Sequence, residues 1–442
     1  MTKKSDLGTA RAADTMGVFK GHEADWFFQR SLAYMNEKAA EIGECFYAAR
    51  RIDEKDPDSW IYEWADLAGN VDAQGDRALE KGDRVNAREA FMRACNYYRV
   101  AEYGCVPSHP RFREMWEKSV AAFHKACPLF DPPVQIMKVP FEGAELPAYY
   151  WRPDQSNQKR PTLVVAGGND DTEEEDFFII GPAAVRRGYN VFIFGYPGHR
   201  GAVHTDPQQV RRPDYEVPFK AALDLLETLP GVDERIALIG FSGGGYVAPR
   251  VAIHDKRIKA VIPNNPMIDY KRVADALLEP IVNKIPGFLI KWALDRKLKR
   301  MPLVRAYMEY GLWATGLSHM TLYEWLTSAE AQREWARFNI EEDLHKITCP
   351  ALALVGGGEG EEMIKQTREF IEGISSKHKK MHIFTKPQDG SHDHCMLDNV
   401  SRMQYVVFEW LNEVFEYAYQ HELEHDEGRA LPNAELQAVG NV

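Results

Sequence analysis

Ser242 lies in the pentapeptide Gly240-Phe241-Ser242-Gly243-Gly244, which matches the pattern G-x-S-x-G. The apolar run RIALIG leads into it and a helix-like segment follows it. In that context a serine stands on a sharp, strained turn that exposes its hydroxyl, and side chains two positions to either side would clash. The pattern therefore predicts that Ser242 is a nucleophile for attack on a carbonyl carbon.

A serine nucleophile needs a base, and two histidines, His392 and His394, follow the last strand-like run. An imidazole on a loop after that strand can reach the serine at the edge of a sheet. The order serine, acid, histidine along the chain is the one that accompanies this kind of serine turn. The residues alone leave His392 and His394 as alternatives for the base.

The acid that orients the imidazole should follow the preceding strand, where the sequence reads VGGGEGEE. Glu359 comes just beyond the strand, whereas Glu361 and Glu362 suit the first turn of a helix. Asp269, which follows the run KAVIP, is the competing candidate. We expect Glu359 to be the acid of the triad and keep Asp269 as the alternative.

Charge that develops on the substrate oxygen needs backbone N–H donors. We expect one from Gly243, directly after the nucleophile, and one from Asn169, in the loop after the run TLVVAGG. The acidic residues that follow, Asp171 to Glu174, are predicted to form the solvated start of a helix. His199 and Arg200 are predicted to belong to a simple turn after a strand.

Strand-like and helix-like segments alternate after residue 131, and they must position these side chains. Several strand candidates are continuous apolar runs, which indicates strands buried on both faces of a mainly parallel sheet covered by helices. The first two candidates can pair as an antiparallel hairpin at the edge of the sheet. Strands are predicted at 135–142, 145–152, 162–167, 190–196, 235–241, 259–264, 351–356 and 381–386.

Four parts of the chain are expected: a helical region over 1–130, a core over 131–268 and 349–420, a helical lid inserted at 269–348, and a disordered tail at 421–442. The insert is rich in aromatic residues, and a ligand site at the carboxyl edge of the sheet would lie beneath it. Helices in the first part are predicted at 26–51, 59–81, 83–102 and 110–126.

The composition excludes several classes of protein. The 442 residues include 45% hydrophobic and 27% charged residues, as in a folded globular protein. A net charge of −12 argues against binding to nucleic acid or to an anionic membrane. No apolar run is long enough for a membrane span, no secretory signal begins the sequence, and the six cysteines form no CxxC pair. We therefore expect a cytoplasmic protein.

Metal and nucleotide motifs are weak. His421-Glu422-Leu423-Glu424-His425 matches H-E-x-x-H, but it begins a polar tail, and a catalytic zinc would need a third ligand in a shielded cavity. The glycine clusters near Gly243 and Gly356 lack the ending of a phosphate-binding loop. The sequence thus predicts neither a metal nor an organic cofactor.

Taken together, these residues resemble the α/β-hydrolase family, and within it the group of 2,6-dihydropseudooxynicotine hydrolase, the FrsA-like hydrolases and the fungal "yellowish-green" hydrolases. The resemblance rests on Ala94-Cys95-Asn96-Tyr97-Tyr98-Arg99, Gly167-Gly168-Asn169-Asp170, the turn at Ser242, the GEGE stretch and His394-Cys395. It implies an α/β-hydrolase fold, a mostly parallel eight-stranded sheet with an N-terminal helical region and an inserted helical lid.

The resemblance also implies details of the site. The catalytic histidine of the group precedes a cysteine, which favours His394 over His392. Members cut a carbon–carbon bond beside a ketone without metal or organic cofactor and use a carboxylate from the lid side, which corresponds to Asp269. The glutamates in the acid loop depart from the aspartate that many relatives have there.

The function expected from the sequence is a cofactor-free serine hydrolase that acts on a small, largely apolar carbonyl compound. A β-diketone or polyketide-like substrate would give a stabilised carbanion as the leaving group of C–C cleavage. An esterase, lactonase or thioesterase is the alternative, and a non-catalytic hydrolase fold that binds other molecules is the remote one. No nucleic acid or membrane partner is expected, and a homodimer is the assembly considered.

Overall fold

The computed structural model describes residues 11–12, 14–282, 296, 298 and 301–417. The predicted disordered tail at 421–442, with the His421–His425 motif, lies outside the described residues. Among the helices described, none is long and apolar enough to cross a membrane.

Eight strands form one sheet in the order β1-β2-β4-β3-β5-β6-β7-β8. The first two are an antiparallel hairpin at one edge, β2 also runs antiparallel to β4, and the other neighbours are parallel. The strands are β1 Gln135–Phe141, β2 Ala144–Trp151, β3 Arg160–Ala166, β4 Asn190–Phe194, β5 Val232–Phe241, β6 Ile258–Asn264, β7 Ala351–Gly356 and β8 Lys379–Phe384.

The continuous apolar runs of the sequence form the centre of this sheet. Every residue of β3, β4 and β7 is buried, as expected for parallel strands covered on both faces. The strand order places the carboxyl ends of β3, β5, β6 and β7 side by side. The predicted fold class, an α/β hydrolase with a mostly parallel eight-stranded sheet, is confirmed.

Helices precede the sheet in the chain and pack on it through a shared apolar core. Buried aromatic side chains of this region, among them Trp26, Phe28, Trp64 and Phe123, belong to the same core cluster as Leu163 and Val165 of β3. These helices are α1 His22–Leu32, α2 Ile42–Ala49, α3 Ser59–Glu80, α4 Arg84–Tyr103 and α5 Arg111–Ala126.

The single helix predicted over 26–51 is wrong. The chain leaves α1 after Leu32, and Lys38 takes a left-handed conformation with φ of 62°. The buried amide of Asn96 donates hydrogen bonds to the carbonyl oxygens of Ser31, at 2.9 Å, and Ala39, at 2.8 Å. Carbonyl groups on both sides of the break are thus satisfied by a side chain of α4, which periodicity alone does not reveal.

The remaining helices cover the sheet or lie in the insert between β6 and β7. Helices next to the sheet are α6 Glu173–Val185, α7 Arg200–Thr205, α8 Glu216–Leu226 and α9 Gly244–His254 before the insert, with α14 Glu361–Gly373, α15 Lys386–Asp389 and α16 Val400–Val414 after it. The described helices of the insert are α10 Tyr270–Val282, α11 Pro302–Ala314, α12 Leu322–Thr327 and α13 Ala329–Ala336.

Candidate active site

Ser242 stands on the turn between β5 and α9 with a left-handed φ of 50°. A Cβ atom on Gly240 would lie 2.0 Å from the carbonyl oxygen of Gly244, and one on Gly244 would lie 2.2 Å from that of Ala166. No side chain fits at such distances, so the expected need for glycine at both positions is confirmed. The strained turn brings the Ser242 hydroxyl to the carboxyl edge of the sheet.

Ser242, His394 and Glu359 form a chain of polar contacts at this edge. His394 Nε2 lies 2.9 Å from Ser242 Oγ, and His394 Nδ1 lies 2.5 Å from Glu359 Oε2. The other histidine of the loop is turned away, because His392 Nε2 lies 2.6 Å from Asp14 Oδ1. The structure therefore brings together the serine, the glutamate and the second histidine singled out in the sequence.

Glu359 is held by donors on every side. Its side chain is buried. The Oε1 atom accepts a hydrogen bond from the Gly356 N–H at 2.7 Å, and the Oε2 atom accepts one from the Asn265 amide at 2.6 Å. The Oε2 atom also faces His394. Burial raises the pKa of Glu359, although the neighbouring imidazole and the Gly356 N–H act in the opposite direction. A carboxylate fixed in this way can hold the imidazole in one orientation and stabilise its cation.

The pKa of His394 is raised well above its ordinary value of 6.5. Burial lowers the pKa, while Cys395 and Glu359 beside the ring raise it and prevail. Burial also raises the pKa of the Cys395 thiol, which therefore stays neutral near neutral pH. We assign the upward shift of the His394 pKa to the Glu359 carboxylate.

Asp269 is not brought to this group. Its Oδ1 accepts the backbone N–H groups of Lys271, at 2.8 Å, and Arg272, at 3.2 Å, at the start of α10. Its Oδ2 accepts the amide of Asn339 at 3.0 Å. The side chain thus caps helix α10 and binds Asn339 near the end of the insert, and it does not contact His394.

Gly243 and Asn169 lie against each other beside the serine. A Cβ on Gly243 would lie 2.3 Å from Asn169 Oδ1, and the Tyr270 hydroxyl lies 3.3 Å from that oxygen and 3.2 Å from the Gly243 carbonyl oxygen. Gly168, one position earlier, is so close to Ser242 that a Cβ there would lie 2.9 Å from the serine Cβ. The loop after β3 and the start of α9 therefore flank the Ser242 hydroxyl.

The acidic start of α6 is buried, so the predicted solvated helix start at Asp171 to Glu174 is wrong. Asp171 Oδ2 accepts the Gly168 N–H at 2.6 Å, and its Oδ1 lies 2.8 Å from His199 Nε2. His199 Nδ1 lies 3.2 Å from Glu173 Oε1. His199 is therefore buried beneath the loop beside Ser242, and it is more than a turn residue.

His199 and the acidic residues at the start of α6 shift one another's pKa values. Burial opposes the charged form of His199, yet Glu173 and Asp171 raise its pKa well above 6.5. Burial and the nearby Glu173 raise the pKa of Glu174 to about 7. Ligand atoms of Asp171, Asp176 and His199 lie within 4.8 Å of one another, so among the described residues this set could also hold a cation.

A cavity of about 200 Å³ opens above Ser242 and His394. Its wall is mostly apolar and aromatic and comes from the insert, with Tyr270, Tyr307 and Trp325 among its residues. Part of the aromatic insert therefore faces Ser242 and His394. Phe288 and Trp292, aromatic residues of the same segment, lie outside the described residues.

The N-terminal region also contributes to the cavity wall, through Arg11, Glu23 and Trp26. Asp393, the neighbour of His394, holds the N-terminal region in place. Its carboxylate accepts hydrogen bonds from the Trp26 indole N–H at 2.7 Å and from the Ala12 backbone N–H at 2.9 Å. None of these residues was predicted from the sequence. The HDH sequence around Asp393 was the one available signal, but its partners lie more than 360 positions away.

Comparisons with known proteins identify the family. A model described as "Esterase FrsA-like" matches residues 55–278. Hydrolase ORFZ of Pyricularia oryzae is 33% identical over 353 residues, which cover 76% of this chain and 82% of the relative. This chain belongs to the FrsA-like family.

Other relatives extend the match over most of the chain. The 20-hydroxy-prefusarin hydrolase FUS2 of Gibberella moniliformis is 28% identical over 421 residues, which cover 90% of this FrsA-like chain and 98% of the relative. The crystal structure of 2,6-dihydroxy-pseudo-oxynicotine hydrolase superposes with a TM-score of 0.66 at 20% identity, covering 86% and 95% of the two chains. The expected resemblance is confirmed, and the FrsA-like protein is an α/β hydrolase.

Proposed function

We propose that this α/β hydrolase uses Ser242, His394 and Glu359 as a catalytic triad, without a cofactor, to hydrolyse a bond beside the carbonyl group of a small, largely apolar compound. The observation that carries the proposal is the continuous chain of contacts, 2.9 Å from Ser242 Oγ to His394 Nε2 and 2.5 Å from His394 Nδ1 to Glu359. Nucleophile, base and orienting acid are then in their required roles.

In the proposed reaction, Ser242 Oγ attacks the carbonyl carbon while His394 Nε2 takes its proton. The backbone N–H groups of Gly243 and Asn169 are the proposed donors to the oxyanion, since both residues flank the serine. Collapse of the adduct breaks the bond to the leaving group, which receives the proton from His394. Water then releases the acyl group from the serine by the same steps in reverse.

We favour a C–C bond next to a ketone, as in a β-diketone or polyketide-like compound, as the bond that is cut. The leaving carbanion of such a compound is stabilised as an enolate, and an imidazolium beside it can supply the proton. The aromatic cavity wall suits an unsaturated, apolar substrate. A relative named for 20-hydroxy-prefusarin supports a substrate of this kind.

Ester, lactone or thioester hydrolysis is the second candidate, and the family description as an esterase favours it. The same residues would act on the easier leaving group of an ester. The two candidates separate in an assay that identifies products from β-diketones, aryl esters and lactones by mass spectrometry. We expect a β-diketone to yield a carboxylic acid and a ketone; turnover restricted to esters and lactones would select the second candidate.

A further inference from the structure

Arg211 differs from the other arginines around the site because they form ion pairs with carboxylates. Arg11 pairs with Glu23, Arg30 with Asp170 and Glu175, and Arg200 with Glu102. Within the part of the chain that the structure describes, no carboxylate forms an ion pair with Arg211. Arg211 is partly exposed and lines a mostly apolar cavity, where a guanidinium without a carboxylate partner is suited to bind an anionic group of a ligand.

The position of Arg211 is built into the fold. Its stem packs against Gly198, where a Cβ would lie 2.2 Å from the arginine Cγ. Its backbone N–H donates to the Ala314 carbonyl oxygen at 2.9 Å, at the end of α11, and Nη2 donates to the Asn169 carbonyl oxygen at 2.8 Å. These contacts fix the guanidinium at the junction of the insert and the loop beside Ser242.

The guanidinium lines the same cavity as Ser242 and His394. Phenols of Tyr215, Tyr270, Tyr307 and Tyr310 line the space around it. The carboxylates of the same cavity, Glu23 and Asp170, pair with Arg11 and Arg30. Burial raises the pKa of Tyr270 to about 12, so that phenol is neutral near neutral pH and does not balance the charge. Glu334 lines the adjoining cavity with Arg211, but its carboxylate pairs with Arg337 at 2.6 Å.

We propose that Arg211 binds a carboxylate of the substrate, so that the substrate class is an apolar, unsaturated carbonyl compound that also bears a carboxylate group. The planar guanidinium offers paired donors that match a carboxylate, and the apolar wall strengthens the interaction. The inference rests on the proposed function, because it places the reacting carbonyl at Ser242 in the same cavity.

Two esters that differ in charge test the proposal: para-nitrophenyl hydrogen suberate, which is an anion, and para-nitrophenyl methyl suberate, which is neutral; the suberate chain is too long for its carboxylate to attack its own ester readily. The wild-type enzyme should have the higher kcat/KM for the anion. Arg211→Gln should lower the ratio of the two kcat/KM values by roughly 10- to 100-fold, mainly through KM, because a hydrogen bond to a charged group is lost. Arg211→Lys should retain part of the preference.

Arg212→Gln is the matched control, because this neighbouring arginine already pairs with Glu142 at 3.0 Å and Asp214 at 2.9 Å and does not line the cavity. It should leave the ratio unchanged. Arg211→Gln slowing both esters equally would overturn the proposal and assign Arg211 to holding the Asn169 loop. A wild-type preference for the neutral ester would also overturn it.

Binding separates a failure of this inference from a failure of the proposed function. If the wild-type protein hydrolyses neither ester, calorimetric titration with naphthylacetate and its amide measures the anion preference without turnover. Tighter binding of the carboxylate to wild-type than to Arg211→Gln supports the site. Equal affinity of wild-type protein for the two ligands, or no binding of either, contradicts it.

Discussion

His392 and His394 lie two positions apart on one loop, yet their imidazoles have different neighbours. His394 joins Ser242 to Glu359, whereas His392 faces Asp14 near the surface. His394→Ala should lower kcat by about 10⁶, as much as loss of the serine, because nucleophile and base act as one unit. His392→Ala should change kcat only severalfold. Steady-state kinetics of both variants checks this, and the reverse pattern would assign the base to His392.

Glu359 contributes a charge as well as a shape. Glu359→Gln keeps the side-chain volume but removes the anion that stabilises the imidazolium, and kcat should fall by roughly 10³–10⁴. Asp269→Asn is the control, because Asn caps a helix about as well as Asp. It should leave kcat nearly unchanged. A near-normal Glu359→Gln enzyme beside an inactive Asp269→Asn enzyme would move the acid of the triad to Asp269.

The pH profile reports the same interaction independently. His394 must be neutral to accept the serine proton, and its pKa is raised above 6.5. In the wild-type enzyme, kcat/KM should therefore rise with pH through an acid limb centred above pH 6.5. In Glu359→Gln the limb should move to lower pH, since the carboxylate that favours the imidazolium is gone. A limb at the same pH in both enzymes would contradict the assigned cause.

The start of helix α6 is held against the N-terminal helices by the side chain of Glu175. Its carboxylate accepts Arg30 Nε at 2.7 Å, pairs with Arg99 Nη1 at 2.9 Å, and accepts the Tyr103 hydroxyl at 2.8 Å. Glu175→Leu would leave two buried guanidinium groups without this anion. The free energy of unfolding should fall by about 3–5 kcal/mol.

Urea denaturation measures that loss, and Glu413→Leu on the surface of α16 is the control, with an expected change within about 0.5 kcal/mol. Equal effects of the two substitutions would show that α6 is not held by this charge. The same element marks a limit of sequence reasoning. An acidic helix start is usually solvated, and the arginines that neutralise this one lie more than 70 positions earlier in the chain.

For the whole molecule, the positions of the strands and a mainly parallel sheet followed from the sequence, because continuous apolar runs indicate strands that are buried on both faces. The serine turn and the loops after β7 and β8 meet at the carboxyl edge for the same reason. The residues that line the cavity could not be predicted from such runs. Trp26 is held at the site by Asp393, Arg11 lies over the Trp26 ring, and Arg211 contacts Gly198 and Asn169. These are contacts between distant parts of the chain that no local pattern encodes.

The described contacts at the C-terminus end with Tyr417, whose hydroxyl donates to the Gly188 carbonyl oxygen at 2.9 Å. Removal of residues 418–442 should leave kcat/KM unchanged, because the groups proposed to react all precede this point. EDTA should have no effect on the full-length enzyme. Loss of activity on truncation, or with EDTA and recovered with zinc, would implicate the His421–His425 motif.

The central claim is that Ser242 is an activated nucleophile, and covalent labelling tests it most directly. A fluorophosphonate should add one phosphonyl group to the wild-type protein, and peptide mapping by mass spectrometry should locate it on Ser242. Ser242→Ala should remain unlabelled while unfolding at the same urea concentration as the wild type. An unlabelled wild-type protein, a label on another residue, or equal labelling of Ser242→Ala would contradict the account.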